Sequence, residues 1–261
     1  MWQEDLTGRV AAALDRDDLV LVRAPADQGD WATLVLPPRP VGSVLDLPVV
    51  QRTTWQHGRL FLTLTTTARG QVVADLLTGR NPPPPAPPPA DSERARRSAT
   101  LARAGGGVDL MPGRLYPVRR AHARTAMLLR QGVDHGVLPA PEVPAGDVLP
   151  GVLAGIWRDL AHTRTEDART RALLLALAAA HLARHRARLQ DRGAPVVSNL
   201  RQITGAFTDW FAHSRSTPRG PITADAPIMD TYRLNLALAC ATGLVLRTGL
   251  RELGLTAPEN L

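Results

Sequence analysis

The sequence predicts an α+β fold in which sheet and helix are segregated along the chain, and three observations predict it. A period-two hairpin pattern lies within the first eighty residues. A proline run, NPPPPAPPPADS, follows it, and from Tyr116 onward every apolar pattern has helical period. The expected organisation is a small α+β domain over residues 1–80, a Pro/Ala/Gly-rich linker over 81–112 and an all-α bundle over 113–261.

In chain order, QEDLTGRVAAAL at residues 3–14 reads as a short amphipathic helix, and LVLVRA from Leu19 as a strand. The segment PADQGDWATLVL precedes the breaker-rich PPRPVGSVLDLP. A hairpin is expected from VVQRTTWQ and RLFLTLT around His57-Gly58, where threonines alternate with apolar residues. TARGQVVADLL then reads as a helix with Gly79 just past its end.

Pro82 to Pro89 lacks amide donors and favours polyproline II, so it reads as a stiff spacer of roughly 25 Å. A short basic helix, SERARRSATLAR, is expected before Gly105 to Gly107 break it. Pro117 suits the first turn of a helix beginning at Tyr116, because a missing amide costs nothing there. Further helices are expected at 151–160, at about 165–192 with Gly193 and Pro195 ending it, at about 198–213 and at about 230–253. Phe207, Trp210 and Phe211 at i, i+3 and i+4 form a core stripe. Leu234, Leu236, Leu238, Val245, Leu246 and Leu250 surround the last helix, which reads as the buried centre of the bundle.

The 261 residues carry a formal charge of +7, and all 31 basic residues are arginine. Such a surface suits an acidic partner, and the planar guanidinium fork suits phosphate. The single cysteine, Cys240, excludes a disulfide framework and a cysteine-rich zinc site, and reads as core. The start MWQEDLTGRV lacks a basic n-region before an apolar stretch, and the longest apolar run, Ala172 to Ala180, is too short to span a bilayer. A cytoplasmic protein with no membrane contact is expected.

The stretch YPVRRAHARTAMLLR at residues 116–130 resembles the first helix of the anticodon-binding domain of arginyl-tRNA synthetases, through its AHAR core. The segment ITGAFTDWFAHSR is similar to the aromatic helix that precedes the last one in those enzymes. LALACATGLVLRTGLRELGLTAPENL resembles their C-terminal end, with Thr242, Leu246, Gly249, Leu250, Leu253, Gly254, Pro258 and Glu259 in step. VRAPADQGDWATLVL looks like a segment of their N-terminal domain, with Gly29, Asp30, Trp31, Ala32 and Thr33 in place, and RLFLTLT is similar to a following strand. The resemblance implies an anticodon-binding-type (DALR) helical bundle at the C-terminal end and a domain that touches the tRNA D-arm at the N-terminal end.

In those enzymes the catalytic domain stands between the two matching regions, where this chain has about thirty residues of proline, alanine and glycine. No His-x-Gly-His occurs, and with no lysine a KMSK loop cannot exist. The resemblance therefore implies a non-catalytic paralogue that binds tRNA, with tRNA-Arg the first species to test. Tyr116, Arg119, Arg120, His122 and Arg124, with Arg201, Arg247 and Arg251, are the expected RNA-binding residues of the helical domain. Trp31, Arg59, Phe61 and Thr63 are those of the N-terminal domain. Where those enzymes carry an asparagine, Thr63 cannot offer both an acceptor and two donors. Pro117 and Arg120 replace two tyrosines, which moves recognition from base stacking toward phosphates.

No cofactor, catalytic residue or metal site is expected. His181 and His185 stand at i, i+4, but the arginines at 184, 186 and 188 would repel a cation. Gly105 to Gly107 lack the strand and lysine of a phosphate loop. The alternative reading is an interaction module that binds a synthetase or another partner enzyme and has abandoned RNA. The two readings divide on whether Arg119, Arg120 and Arg124 stay exposed and unpaired beside Arg201 or Arg247.

Overall fold

The computed structural model describes residues 3–14, 21–24, 29–33, 44–79, 115–139, 148–161, 166–189, 193–217 and 229–259. The linker, the basic helix and the glycine triplet expected between residues 81 and 112 lie outside them.

Helix α1 (Gln3–Ala13) is followed by strands β1 (Leu21–Arg23), β2 (Trp31–Thr33), β3 (Val50–Gln56) and β4 (Arg59–Leu64). They form one antiparallel sheet in the order β1-β2-β4-β3. His57 and Gly58 join β3 to β4 with φ of 49° and 72°, the paired left-handed residues that a two-residue hairpin loop requires. Alternation sorts β4 by face. Leu60, Leu62 and Leu64 are buried inward. Phe61 instead packs with Ala24 and Ala32 in a small separate cluster on the other face.

Helix α2 (Thr66–Leu77) closes the sheet unit. Thr65 caps it by accepting from the Ala68 amide at 3.2 Å, and Gly79 leaves it with φ of 66°. The remaining described helices are α3 (Tyr116–Asp134), α4 (Val148–Leu160), α5 (Ala168–Ala178), α6 (Ala180–Leu189), α7 (Ala194–His213) and α8 (Asp230–Glu252). None of the described helices is long and apolar enough to cross a membrane.

Two expected boundaries move. The single helix over 165–192 is two helices, because Ala179 has ψ of −10° and ends α5. Every residue of α5 from Leu173 to Ala178 is buried, and both helices pack on α7, α5 also against α2 and α6 also against α1. Its apolar run contains no glycine or proline to mark the break. Pro195, expected as a terminator, lies in the first turn of α7, which begins four residues early at Ala194.

Helix α8 is the centre of the bundle as expected, with Leu236, Leu238, Leu246 and Leu250 fully buried. It packs on α3, α4, α2 and α7. A Cβ on Gly243 would meet Thr125 Oγ1 at 2.6 Å, so α3 and α8 approach as closely as they do only over glycine. Phe207 and Trp210 are fully buried, and Phe211 packs beside them.

Sheet and bundle meet across α2, whose Val72, Val73, Leu76 and Leu77 join one continuous core running from Leu6 to Leu253. Trp157 of α4 donates its indole N–H to the Gly70 carbonyl at 3.0 Å. Beside it lies a buried charge network. Asp30 is 0% exposed and accepts from the Leu64 amide at 2.6 Å, from Arg69 at 2.8 Å and from Arg171 Nε at 2.5 Å. Arg69 Nε also donates to Glu166 at 2.9 Å, and its other nitrogens bond Glu166 and the Leu64 carbonyl. Burial opposes the Arg69 charge, but bonds and attraction from Glu166 and Asp30 outweigh it and raise its pKa above the ordinary value.

Removing one member of a buried ion network strands the others. Arg69→Met should therefore cost about 3–5 kcal/mol of folding stability. In urea, tryptophan fluorescence and helical circular dichroism should lose their midpoints together. An unchanged midpoint would show that the network does not hold the sheet to the bundle.

Candidate nucleic-acid interface

Helix α3 presents its polar half outward because Val118, Ala121, Thr125, Leu128 and Gly132 recur at helical spacing and are buried. Opposite them Tyr116 is 43% exposed, and Arg120 is exposed one turn later. Arg119 and Arg124 are half-buried on the two flanks of this surface. Arg124 leans toward α7, with its guanidinium carbon 4.6 Å from the centre of the Phe211 ring.

On the other flank His122 is buried, and its Nδ1–H donates to the Pro258 carbonyl at 2.7 Å. Arg130 donates to the Glu259 carbonyl at 3.1 Å, so the segment after α8 is fastened along α3 by two side chains. Burial lowers the His122 pKa, and Arg247 and Arg251 lower it further, against the pull of Pro258 and Glu259. Those two arginines stand one turn apart on α8 and face this flank. A cavity of about 510 Å³ opens there, lined by His122, Thr125, Leu129, Arg130, Arg247 and Glu259 among others. Cys240 also lines it, and burial pushes its thiol pKa up to about 12, which leaves it protonated and inert at neutral pH.

Arg201 is exposed on α7, in a cleft with Pro117 and Val118 of the first turn of α3. The basic residues thus form a band across α3, with Arg124 and Arg201 toward α7, Arg120 outermost, and Arg119, Arg247 and Arg251 toward α8. None of the six forms an ion pair with a described acidic residue. Other arginines do: Arg69 and Arg171 in the buried network, Arg169 with Asp209 at 3.4 Å, and Arg233 with Asp230 at 3.4 Å.

The N-terminal candidates separate. Trp31 is 1% exposed and packs inward, and Phe61 is 6% exposed within its small cluster, so neither ring is presented to solvent. Arg59 is exposed and Thr63 half-exposed. The register sets Arg59 opposite Gln56 and Thr63 opposite Arg52 on the outer face, which makes exposed Arg52 a further candidate. Its place in the alternation Arg52, Thr54, Gln56 was a sequence signal for it. His181 is described, but the side chain of His185 lies outside the described residues. Among the described residues no group of three or more His, Cys, Asp or Glu could hold a metal ion.

Burial makes folded His122 harder to protonate than an unfolded histidine, which titrates near 6.5. Stability is complete above that pH. It falls as pH drops below it, because the unfolded chain takes up a proton that the buried ring resists, at up to about 1.4 kcal/mol per pH unit. His122→Gln should flatten that part of the decline in urea unfolding between pH 6.5 and the lowered folded value. An identical pH slope in both proteins would contradict it.

No family model matches the chain. Over 66 residues, 25% of this chain, it is 38% identical to the arginine–tRNA ligase of Paenarthrobacter aurescens strain TC1, and the match covers 11% of that protein. Among solved structures, Thermus thermophilus arginyl-tRNA synthetase aligns with 75% of this chain and 31% of its own, at 18% identity and a TM-score of 0.40. The chain therefore spans well under two thirds of either protein, and carries a partial sequence relationship to an arginine–tRNA ligase.

Proposed function

We propose that this chain is a tRNA-binding protein without aminoacylation chemistry, and that it holds tRNA mainly through phosphates. The observation that carries the reading is the division of the arginines. Arg69 and Arg171 in the core and Arg169 and Arg233 at helix edges are matched to Asp30, Glu166, Asp209 and Asp230, whereas Arg119, Arg120, Arg124, Arg201, Arg247 and Arg251 lie exposed or half-buried on α3, α7 and α8 with no ion pair to a described acidic residue. The relative matched over 66 residues is an arginine–tRNA ligase, which gives the acidic partner its class. Arg52, Arg59 and Thr63 on the outer sheet face form a second contact area, toward the D-arm. The absence of lysine and of His-x-Gly-His supports binding without adenylation.

A second reading, a docking face for a partner enzyme, draws on Tyr116 and Met127. Both are exposed and lie on the same side of α3 as Arg120. Binding measurements separate the two readings.

Titration of tRNA-Arg, an unrelated tRNA and duplex DNA at several salt concentrations should show tRNA bound in preference to the duplex. Four to six phosphate contacts predict that log affinity falls with log salt with a slope of about 3 to 5. Replacing Arg120 by alanine should reduce that slope by about one. Micromolar or weaker binding with no preference for tRNA over duplex DNA would overturn the reading in favour of the partner-enzyme face.

A further inference from the structure

Strand β3 is an edge of the sheet, paired by β4 on one side alone among the described residues. The opposite edge, β1, is three residues long, whereas β3 is seven. An edge presents a row of unpaired backbone groups, which proteins ordinarily blunt with charge, proline or a bulge. Here the bulge lies between Val50 and Arg52, and Arg52 supplies the charge. Beyond them Thr53, Thr54, Trp55 and Gln56 carry neither charge nor proline.

The register decides which backbone groups face out. In a two-residue hairpin the residues flanking the loop, here Gln56 and Arg59, exchange both hydrogen bonds, and bonded and non-bonded pairs then alternate. Thr54–Phe61 is thus a bonded pair, whereas Trp55–Leu60 and Thr53–Leu62 are not. The Leu62 carbonyl agrees, because it accepts from the Asp30 amide at 2.7 Å, on the side away from β3. The N–H and C=O groups of Thr53 and Trp55 therefore point out of the sheet edge, and no described residue bonds them. Beside them the Trp55 side chain is 37% exposed.

This edge is complementary to itself. With two copies set antiparallel about a twofold axis at Thr54, Thr53 of each lies opposite Trp55 of the other. All the outward groups are then used, because both pairs exchange two hydrogen bonds. The two Thr54 side chains meet at the axis, and each indole lies against a threonine, both of them favourable cross-strand pairs. Arg52 falls opposite Gln56, so no like charges confront each other. Centring the axis on Thr53 instead would set Trp55 against Gln51, at the bulge.

We infer that the β3 edge is a self-association surface, on which a second copy of this chain adds its own β3 antiparallel with Thr53 opposite Trp55. The junction is small, so the dimer is reversible, with a dissociation constant of about 10–100 µM. Its axis stands perpendicular to the sheet, which brings Arg52, Arg59 and Thr63 of both copies onto one outer face. The pairing itself does not rest on the tRNA-binding reading.

The test uses the whole chain without RNA. Sedimentation velocity should show the mass of a monomer at low concentration and approach that of a dimer above the dissociation constant. Thr53→Pro removes an amide that faces away from β4, and Thr54→Lys sets two cations against each other at the axis. Each should weaken association at least about tenfold while circular dichroism stays native. Thr54→Cys should form a disulfide-linked dimer under a mild oxidant, since a non-bonded pair brings the two Cα atoms to about 4.5 Å. Gln56→Cys should not, because its counterpart lies opposite Arg52, and native Cys240 is buried. A monomer at every concentration overturns the proposal, as does a dimer that neither Thr53→Pro nor Thr54→Lys weakens. Thr53 and Trp55 amides protected from hydrogen exchange in a monomer also overturn it, by showing that the chain covers its own edge.

Discussion

The arrangement of this protein depends on keeping one carboxylate, Asp30, fully out of water. An isolated buried charge is untenable, so Asp30 must be surrounded by donors. The chain supplies them from three places far apart in sequence: the Leu64 amide at the end of β4, Arg69 on α2 and Arg171 on α5. Arg69 in turn needs a second acid, which Glu166 provides just before α5. Satisfying these groups together leaves one relative placement of sheet and bundle. Gly29 makes it possible, because a Cβ there would lie 2.9 Å from the Leu62 carbonyl oxygen, at a φ of 155°. The continuous core from Leu6 to Leu253 and the Trp157–Gly70 hydrogen bond act in the same direction.

That placement matters for the proposed role because one basic surface belongs to each of the two parts that the network joins. Arg52 and Arg59 belong to the outer face of the sheet, and the arginine band belongs to α3, α7 and α8. A protein in which these surfaces tumbled independently would gain only from tethering. One in which they are fixed presents a single shape, and the entropy of arranging two modules is not lost again on binding. Arginine is suited to both tasks. In the core its planar fork reaches Asp30, Glu166 and a carbonyl together, and on the surface the same fork meets phosphate oxygens.

Much of the fold was legible in the sequence where the signal is local. The His57-Gly58 hairpin, the capped helix before Gly79, the proline at the start of α3 and the leucine-surrounded α8 all follow from period and punctuation. The break at Ala179 was not legible, because nothing in a run of leucine and alanine marks it. The Asp30–Arg69–Glu166–Arg171 network was equally hidden, since its bonds join residues 39 to 141 positions apart. Of the candidate site, the exposed arginines of α3 could be read from helical spacing. Burial separated Trp31, Phe61 and His122 from them: two rings lie below the surface, and the imidazole is bonded to Pro258.

The central claim is that unpaired arginines, not the paired ones, meet RNA phosphates. Phenylglyoxal modification read by mass spectrometry tests it directly, in the free protein and in the presence of saturating tRNA. The account predicts that Arg119, Arg120, Arg124, Arg201, Arg247 and Arg251 react in the free protein and are protected by tRNA, while buried Arg69 is unreactive in both states. Equal reactivity of those six arginines with and without tRNA would contradict it.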